Sequence, residues 1–552
     1  MKRRGFLQAA GIAGSTGLLA PEVKAALAET SGASDPHVLS EPTVFVRDEG
    51  RHAAGMDQFE PPLAASDVTL SADQLAGSGV DTLFFTAGVE GGTVIYDSRV
   101  AQKLGDNVDK WTHPVHYRDA RHIRQLIADG HDRLKLLCDR CHEKGIWLIA
   151  SLCIDAGGYI SPRGHGRTSD FVFNNPQFQV GPDDNPRARE LSPTRLSFMH
   201  PEVRQERFRI FEELLSRYET DGVEVFAEFL PPCKLNQVAQ LAPIFTQWLR
   251  DLRSSARKAE QAQRRRKRIY VYLPARRDSW KDIGYDVAAW LSENLVDGLV
   301  CAGGVAEMHD QDLELGPAVQ QTRGTACRVL AACHSGVGKR LEKRATQPMI
   351  WAAAANAYDQ GADGFGLDHP QWFTWPWRQE EYETLRLLGR LELLATADKL
   401  YWVQSSPKGS PLPRVVEEGQ PVTVSLRVAD DLARWHSLGR VRSVRLRVRV
   451  TNIDASLSVL TVALNGQVLP SSLVGPNDFT YRIVNGSALG PYGYRFEYNL
   501  APAYYPKRGR NTVQVTLVKK DPGIDLPFEI FDVDCQVRYR LHRHFEQDPV
   551  LY

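Results

Sequence analysis

The sequence predicts an α/β chain in which a (β/α)8 TIM barrel is followed by a C-terminal all-β sandwich. From about residue 40 to residue 397, eight short β-rich runs alternate with helical patterns, and this alternation is typical of such a barrel. Four of the runs are entered through an aspartate. After about residue 400, alternating strands and turn residues replace the helices. A doubly wound open sheet is the alternative, because a linear pattern does not show whether a sheet closes.

Composition restricts the class of protein. The chain has 552 residues, with 67 basic and 67 acidic side chains, and 43% of it is hydrophobic. These values are typical of an ordinary globular protein of two to four domains. A net charge of zero argues against nucleic acid or an anionic membrane as a general partner, because both require a basic surface. The eight cysteines are too sparse for the disulfide scaffold of a small secreted protein.

The N-terminus predicts export. Lys2–Leu7 reads KRRGFL and resembles a twin-arginine export signal, and the apolar stretch that follows, Ala9–Ala20, is too short to span a bilayer. Ala26–Ala28 offers a small-x-small cleavage site. We therefore expect a signal peptide over residues 1–28 and a linker over 29–40. The twin-arginine machinery would be a partner, and the folded protein would be periplasmic or secreted.

Residues 41–398 are the predicted barrel. Its predicted strands are Thr43–Asp48, Asp81–Thr86, Ile146–Cys153, Val223–Phe229, Ile269–Leu273, Leu299–Ala302, Val329–His334 and Gly364–Asp368. Its predicted helices are Tyr117–Lys144, Pro201–Tyr218, Leu235–Ala262, Asp282–Asn294, Pro348–Gln360 and Glu380–Ala395. The long connections Gly88–His116, Asp155–His200 and Gly303–Cys327 follow strands 2, 3 and 6. They lie on the face where such barrels place active sites, so we expect them to wall a cleft.

The aspartates before the even strands are predicted to support the fold. Asp81, Asp221, Asp297 and Asp363 stand at the starts of strands 2, 4, 6 and 8. Strand starts lie on the face opposite the active site, where turn and capping chemistry is the expected role.

Residues 399–552 are the predicted sandwich. Its predicted strands are Val422–Val428, Val441–Val450, Ser458–Leu464, Tyr481–Val484, Tyr494–Asn499, Thr512–Val518 and Phe531–Tyr539. Asn-Gly pairs at 465–466 and 485–486 predict tight turns between them. Whether this module binds sugar is left open by the pattern.

Carboxylates are predicted at the C-terminal mouth of the barrel. On strand 4, the side chains of Glu224 and Glu228 alternate with an apolar set, so both are expected in the lumen. Glu228 is the predicted nucleophile or general base, and Glu224 is expected to hold a hydroxyl group or tune the charge. Asp368 at the end of strand 8 and Glu307 after strand 6 share the role of the acid.

Further side chains on this face are predicted to bind substrate. Flat aromatic rings beside carboxylates suit a pyranose, whose CH face stacks while its hydroxyls form hydrogen bonds. Some of the polar groups, among them Arg47 and Asp155, would bind hydroxyls or an anionic sugar substituent. The predicted substrate-binding residues are Arg47, Asp48, Asp155, His334, Trp111, Tyr159, Trp280, His369 and Trp372.

One stretch resembles a known family. Leu196–Phe229 contains His-Pro-Glu-Val-Arg, a helix and Tyr-x-x-Asp-Gly-hydrophobic-Glu. It resembles the glycosyl hydrolase-like TIM barrels described as family-ten-like. Ile283–Val300 and Asp359–Asp368 look like the approach to strand 6 and the final strand of the same family. The resemblance covers the barrel and implies cleavage of glycosidic bonds by a carboxylate pair. Where that family usually has Asp and Arg, this chain has Phe226 and Phe229.

Two other functions stay open. The absent Asp and Arg suggest a non-catalytic carbohydrate-binding protein, and His309, Asp310 and His334 suggest a lyase or metal-dependent hydrolase. For the main hypothesis we expect an oligo- or polysaccharide substrate and no cofactor, metal, nucleic acid or membrane partner after signal cleavage.

Overall fold

The computed structural model of the chain describes residues 43–48, 59–158, 160–188, 192–227, 231–303, 308–337, 343–368, 379–405, 410–482 and 492–540. The barrel and sandwich residues belong to one compact unit that begins at Glu41. Within the described ranges, no helix is long and apolar enough to cross a membrane.

The first eight long strands form a closed parallel barrel, which confirms the predicted fold class. The strands are β1 Thr43–Asp48, β2 Thr82–Thr86, β3 Trp147–Cys153, β4 Gly222–Phe226, β5 Arg268–Pro274, β6 Gly298–Ala302, β7 Arg328–Cys333 and β8 Gly364–Leu367. Neighbouring strands pair in sequence order, and β8 pairs with β1 to close the ring. A two-residue ribbon, Gly336–Val337 with Lys343–Arg344, follows β7.

Apolar side chains fill much of the lumen of the barrel. Because successive side chains of a strand point to opposite faces, each strand gives one set to the lumen and one to the helices. The lumen cluster contains Phe45, Phe84, Ile149, Tyr270, Tyr272, Val300, Ala302, Leu330 and Ala332, with Phe226 packed against it. The polar centre described below is interleaved with this cluster, because Glu224 lies two residues before Phe226 on β4 and Ser151 lies two residues after Ile149 on β3.

The four aspartates bind neighbouring strands at the bottom face, as predicted. In each case a carboxylate oxygen accepts the backbone N–H of the second residue of the preceding odd strand. These bonds are Val44 to Asp81 (3.1 Å), Leu148 to Asp221 (2.9 Å), Ile269 to Asp297 (2.8 Å) and Val329 to Asp363 (2.8 Å).

Helices cover the outside of the barrel, and some of their predicted bounds were wrong. The helices of this region are α1 Ala65–Leu75, α2 Pro114–Ala128, α3 Arg133–Glu143, α4 Asp170–Asn174, α5 Pro201–Ser216, α6 Val238–Gln263, α7 Arg277–Asp282, α8 Val287–Ser292, α9 Gly316–Thr322, α10 Gln347–Asp359, α11 Gln379–Leu388 and α12 Leu391–Leu394. The predicted helix over 117–144 is two helices, because Gly130 has φ 82° and ends the first. The predicted helix over 282–294 is shorter, Val287–Ser292, and Gly284, with φ 77°, lies between it and the preceding helix α7.

The C-terminal region is a β-sandwich of two main sheets. Its strands are β9 Lys399–Trp402, β10 Arg414–Val416, β11 Pro421–Val428, β12 Val441–Thr451, β13 Val459–Leu464, β14 Gln467–Val468, β15 Val474–Asn477, β16 Gly493–Asn499, β17 Gly509–Lys519 and β18 Phe528–Tyr539. One sheet has the order β9-β18-β12-β16-β15, with β10 on β18, and the other has the order β11-β17-β13-β14.

Two helices complete this region, α13 Leu432–Ser437 and α14 Phe479–Arg482. The second replaces the start of a predicted strand at Tyr481, so that prediction was wrong. The Asn465-Gly466 turn is present, with φ of 52° and 81° at its two residues, as a two-residue hairpin turn requires.

The barrel and the sandwich are joined by direct polar contacts. The Gln311 amide nitrogen donates to the Leu400 carbonyl at 3.1 Å, and its oxygen accepts the Trp402 N–H at 2.8 Å. Arg427 of the sandwich binds Asp312 at 2.6 Å. The loop after β6 is therefore held from the sandwich side.

Candidate active site

A buried arginine occupies the centre of the barrel mouth. Arg47 projects inward from β1 and is 1% exposed. Its Nη1 and Nη2 bind both oxygens of Glu224 from β4, with Nη2 at 2.7 Å from Oε1. Its Nε lies 2.5 Å from Oδ1 of Asp368, directly after β8. The guanidinium thus spans the lumen and neutralises part of the charge of two carboxylates.

Glu224 is also held by the neighbouring strand. Ser151 of β3 faces Glu224 in the strand register, and its hydroxyl donates to Oε2 at 2.6 Å. Arg47 in turn donates to the Ser151 hydroxyl at 3.0 Å. Glu224 is 0% exposed, so the structure confirms the predicted inward orientation and assigns it an ion pair with Arg47.

Asp368 is held as a carboxylate. Burial alone would raise its pKa, but the positive charge of Arg47 and the hydrogen bond from Tyr272 lower it below the ordinary value. The Tyr272 hydroxyl donates to Oδ2 at 2.7 Å, and His334 Nε2 lies 3.6 Å from the same oxygen. A general acid requires a raised pKa. The partners of Asp368 stabilise its charged form and so favour a role as an ionised carboxylate, while its predicted role as the acid stays a prediction.

Aromatic rings surround the guanidinium. The Cζ atom of Arg47 lies 5.5 Å from the ring of Phe84, 5.1 Å from Phe226 and 5.0 Å from Tyr272. Burial opposes the charge of Arg47, yet Asp368 and Glu224 raise its pKa above the ordinary value. Arg47 was predicted to bind substrate, whereas here its charged head binds protein carboxylates. Among the residues that the structure describes, the centre contains two carboxylates for one guanidinium.

Asp48 was wrongly assigned to substrate binding. It follows Arg47 directly, so its side chain leaves β1 on the opposite face. There it is 2% exposed and accepts a hydrogen bond from Ser71 of α1 at 2.8 Å. Two consecutive strand residues cannot both enter the lumen.

The two described tryptophans of the prediction are not open platforms. Trp280 is 3% exposed in α7, and its Nε1 donates to the carbonyl of Pro274, the last residue of β5, at 2.7 Å, so its ring is buried rather than open to a substrate. Trp111 is half-buried in the loop after β2. A Cβ on Gly105 or Gly166 would lie 2.4 Å or 2.9 Å from its ring, which shows how closely that ring contacts their backbone.

Asp155 and His334 lie on the predicted face. His334 follows β7 and lies 3.3 Å from the Tyr272 hydroxyl. Asp155 lies two residues beyond β3, is 4% exposed, and accepts from Cys153 Sγ at 2.7 Å. The predictions for Glu228, Glu307, Tyr159, His369 and Trp372 lie outside the described residues and stay predictions.

Sequence reasoning missed Tyr272 and Ser151. Both could have been found from the alternation of side-chain direction that was used for strand 4. Tyr270 and Tyr272 share one face of β5, and Ser151 lies on the same face of β3 as Cys153. Asp310 was named only in the metal hypothesis. Burial raises its pKa to about 6, against an ordinary value of 3.8.

His309 is fixed as a neutral imidazole. Burial lowers its pKa to about 4. Its Nδ1 lies 2.9 Å from the His334 carbonyl and donates to it, while Nε2 lies 3.1 Å from the Gln311 amide nitrogen. Both ring nitrogens are thus engaged within the protein. In the described part of the chain, no three His, Cys, Asp or Glu side chains are placed to share a metal ion.

The cysteines contribute no cross-link. All eight are free thiols. Cys138 and Cys141 are buried in α3 beside the hydrophobic core, and the next residue, His142, lies 3.0 Å from Asp221 at the bottom face.

No protein-family model and no curated protein matches the chain. Among solved structures, α-L-fucosidase isoenzyme 2 from Paenibacillus thiaminolyticus is similar at 11% identity and TM-score 0.37, over 64% of this chain and 49% of that one. The PgaB (BpsB) glycoside hydrolase domain from Bordetella bronchiseptica is similar at 16% identity and TM-score 0.38, over 63% of this chain and 98% of that one. An endo-1,4-β-mannanase from Rhizomucor miehei is similar at 8% identity and TM-score 0.39, over 64% of this chain and 95% of that one. The chain thus spans about half the length of the fucosidase.

Proposed function

We propose that the protein is a glycoside hydrolase that acts at the C-terminal mouth of the barrel. The observation that carries the proposal is Asp368, a buried carboxylate kept ionised at the end of β8 by Arg47 and Tyr272. Glycoside cleavage requires one carboxylate that is ionised at the start of the reaction, as nucleophile or general base.

The charge of the centre supports the same chemistry. Glu224 and Asp368 together carry two negative charges and Arg47 carries one positive charge, so these three side chains have a net charge of −1. An oxocarbenium-like transition state develops positive charge on the sugar, and a fixed excess of negative charge nearby stabilises it. In this proposal Asp368 acts on the anomeric centre or on the attacking water. Tyr272 and Arg47 orient it, and Glu224 holds Arg47.

The proton donor is a separate group. Glu307 keeps this role as a prediction from the sequence, whereas Glu228 stays the predicted nucleophile or general base. Asp310 is a further candidate, because its raised pKa of about 6 leaves a substantial protonated fraction in mildly acidic solution. The proposal includes export by the twin-arginine route, which rests on the KRRGFL segment at Lys2–Leu7.

The test is a screen of defined glycosides and polysaccharides with the full chain, followed by variants. On any cleaved substrate, Asp368→Asn should lower turnover by about 10²- to 10⁴-fold, and Tyr272→Phe should lower it less. Asp48→Asn is the matched control, because this carboxylate points away from the lumen and should leave turnover near normal. Near-normal turnover of folded Asp368→Asn would overturn the assignment of Asp368.

A second function is favoured by one observation. Glu224 and Asp368 are both 0% exposed and paired with Arg47, which is also how a purely structural ion-pair network is arranged. A non-catalytic carbohydrate-binding protein would bind saccharides in the same screen without releasing products.

A further inference from the structure

Arg195 is a buried arginine with unused hydrogen-bond donors. It lies in the connection between β3 and α5 and is 1% exposed. Its Nη2 donates to the carbonyl of Pro231 at 3.1 Å and lies 3.5 Å from that of Cys233. Its Nε and Nη1 have no hydrogen-bond partner among the residues that the structure describes.

Arg253 shows what a structural arginine looks like in this protein. It is also buried, at the opposite face of the barrel. Its Nε and Nη2 donate to the Leu295 carbonyl at 3.0 and 2.9 Å, and Nη1 donates to the Lys267 carbonyl at 3.3 Å. Nη2 also binds Asp297. An unpaired buried donor carries its full desolvation cost, and more so when it is charged. Arg195 therefore has an arrangement suited to a ligand that completes its bonding.

The position of Arg195 places those donors on the active-site face. The next residue, Leu196, donates its backbone N–H to the Ala156 carbonyl at 2.8 Å, which fixes the segment beside Asp155. Pro231 and Cys233, which hold Nη2, lie in the connection that follows β4. Arg195 thus lies between the loops that leave strands 3 and 4.

The surroundings of Arg195 are polar. Burial lowers the pKa of its guanidinium, and the negative charge of Asp155 partly offsets this. Asp155 also acts electrostatically on the phenol of Tyr285, which is 4% exposed. The Tyr285 hydroxyl has no hydrogen-bond partner within the described ranges. Two buried donor groups with open bonding capacity therefore lie near one carboxylate.

We propose that Arg195 binds the anionic group, a carboxylate or a sulfate, of an acidic sugar unit in the substrate. Asp155 accepts a hydrogen bond from a hydroxyl of the same unit. The inference rests on the proposed glycoside hydrolase function and specifies its substrate class. Guanidinium groups are well suited to oxyanions because their N–H donors are charged and lie in a fixed plane.

The experiment measures equilibrium binding to the full chain by calorimetry. The probes are oligogalacturonate, a sulfated galactan oligosaccharide and a neutral galactan oligosaccharide of matched length. Losing a charge-assisted hydrogen bond costs about 1.5–3 kcal/mol, so Arg195→Gln should weaken binding of the acidic probe by about 10- to 100-fold. Binding of the neutral probe should change by less than about 2-fold. The carboxylate and sulfate probes distinguish the two anionic groups.

Two further variants separate recognition from structure. Arg195→Lys keeps the charge and should retain part of the preference for acidic over neutral probes. Arg253→Gln removes a fully bonded buried arginine and should lower the melting temperature without changing that preference. If Arg195→Gln weakens acidic and neutral binding in equal proportion, Arg195 has a structural role and the inference fails.

Binding of the acidic and neutral probes to the wild-type protein tests the inference even if the Arg195 variants do not fold. Equal affinity for acidic and neutral probes would overturn the inference. Cleavage of neutral glycosides without binding of either acidic probe would also overturn it, while the hydrolase proposal would stand. Binding of an acidic probe without cleavage of any glycoside would refute the hydrolase proposal, whereas the assignment of Arg195 to the anionic group would stand.

Discussion

Removing the charge of Arg47 is expected to destabilise the barrel strongly. In Arg47→Met the side-chain volume is roughly retained, but Glu224 and Asp368, both 0% exposed, lose their shared cation. Breaking a buried ion pair from one side costs about 3–5 kcal/mol. Because one guanidinium serves two carboxylates here, we expect the upper half of that range at pH 8. Total stabilities of about 5–15 kcal/mol make this a large fraction.

The cost should depend on pH in a defined direction. In the variant, Asp368 is buried without the arginine, and burial raises its folded-state pKa above the unfolded value of about 3.9. The folded variant then binds more protons than the unfolded chain, so its stability falls as pH rises through the raised pKa. In the wild type the lowered pKa of Asp368 has the opposite effect, and that stability is lost as pH falls below about 3.9. The difference between the two proteins should be smaller at pH 5 than at pH 8.

Urea unfolding followed by tryptophan fluorescence measures this difference. Arg445→Met is the control, because Arg445 lies 3.7 Å from Glu497 with its side chain 39% exposed, and exposed pairs contribute about 0–1 kcal/mol. The triple variant Arg47→Met, Glu224→Gln, Asp368→Asn should recover much of the loss, because it leaves no uncompensated charge. A loss below about 1 kcal/mol at pH 8 for Arg47→Met would refute the reasoning.

Three other perturbations have expected outcomes. Gly366→Ala should destabilise the barrel by about 1–3 kcal/mol or more in urea unfolding, because the new Cβ would lie 2.3 Å from the ring of Phe45. Asp297→Ala should cost about 1–3 kcal/mol in the same assay, because the Ile269 N–H and the side chains of Arg253 and Arg266 lose their acceptor. Replacing Arg3 and Arg4 by lysine should leave the precursor in the cytoplasm, as followed by immunoblotting of cell fractions.

Each of these has a matched control. Gly316→Ala should be tolerated, because a Cβ there meets nothing within 4 Å; equal losses at both glycines would contradict the steric argument. Asp278→Ala removes an exposed acid of α7 and should change stability by less than about 0.5 kcal/mol. Normal export of the double-lysine protein would refute the twin-arginine assignment.

The alternation of side-chain direction along a strand accounts for the part of the candidate site that could be predicted from the sequence. It placed Glu224 and Asp368 in the lumen correctly, because side-chain direction along a strand follows from local alternation alone. The same rule shows why Arg47 and Asp48 cannot share a face. It could also have identified Tyr272.

Contacts across the lumen could not be predicted in this way. Arg47 and Glu224 are 177 positions apart, and only closure of the barrel brings them together. The burial of Trp280 could not be predicted for a different reason. Trp280 follows a strand in sequence, but the turn into α7 directs it to the core, and one chain pattern cannot distinguish a rim position from a buried one.

The aspartates of the bottom face give the barrel four equivalent joints. The backbone carbonyl of each accepts the first N–H of the following odd strand: Trp147 to Asp81 (2.8 Å), Arg268 to Asp221 (3.0 Å), Arg328 to Asp297 (3.0 Å) and Thr43 to Asp363 (3.1 Å). The joint that closes the ring therefore has the same form as the three within the chain. Because the same hydrogen bonds connect the strands at all four places, the closure of the ring has no special site. The stability of the barrel should therefore not depend on the strand at which the polypeptide begins. A circularly permuted barrel that starts at β3, β5 or β7 would keep all four.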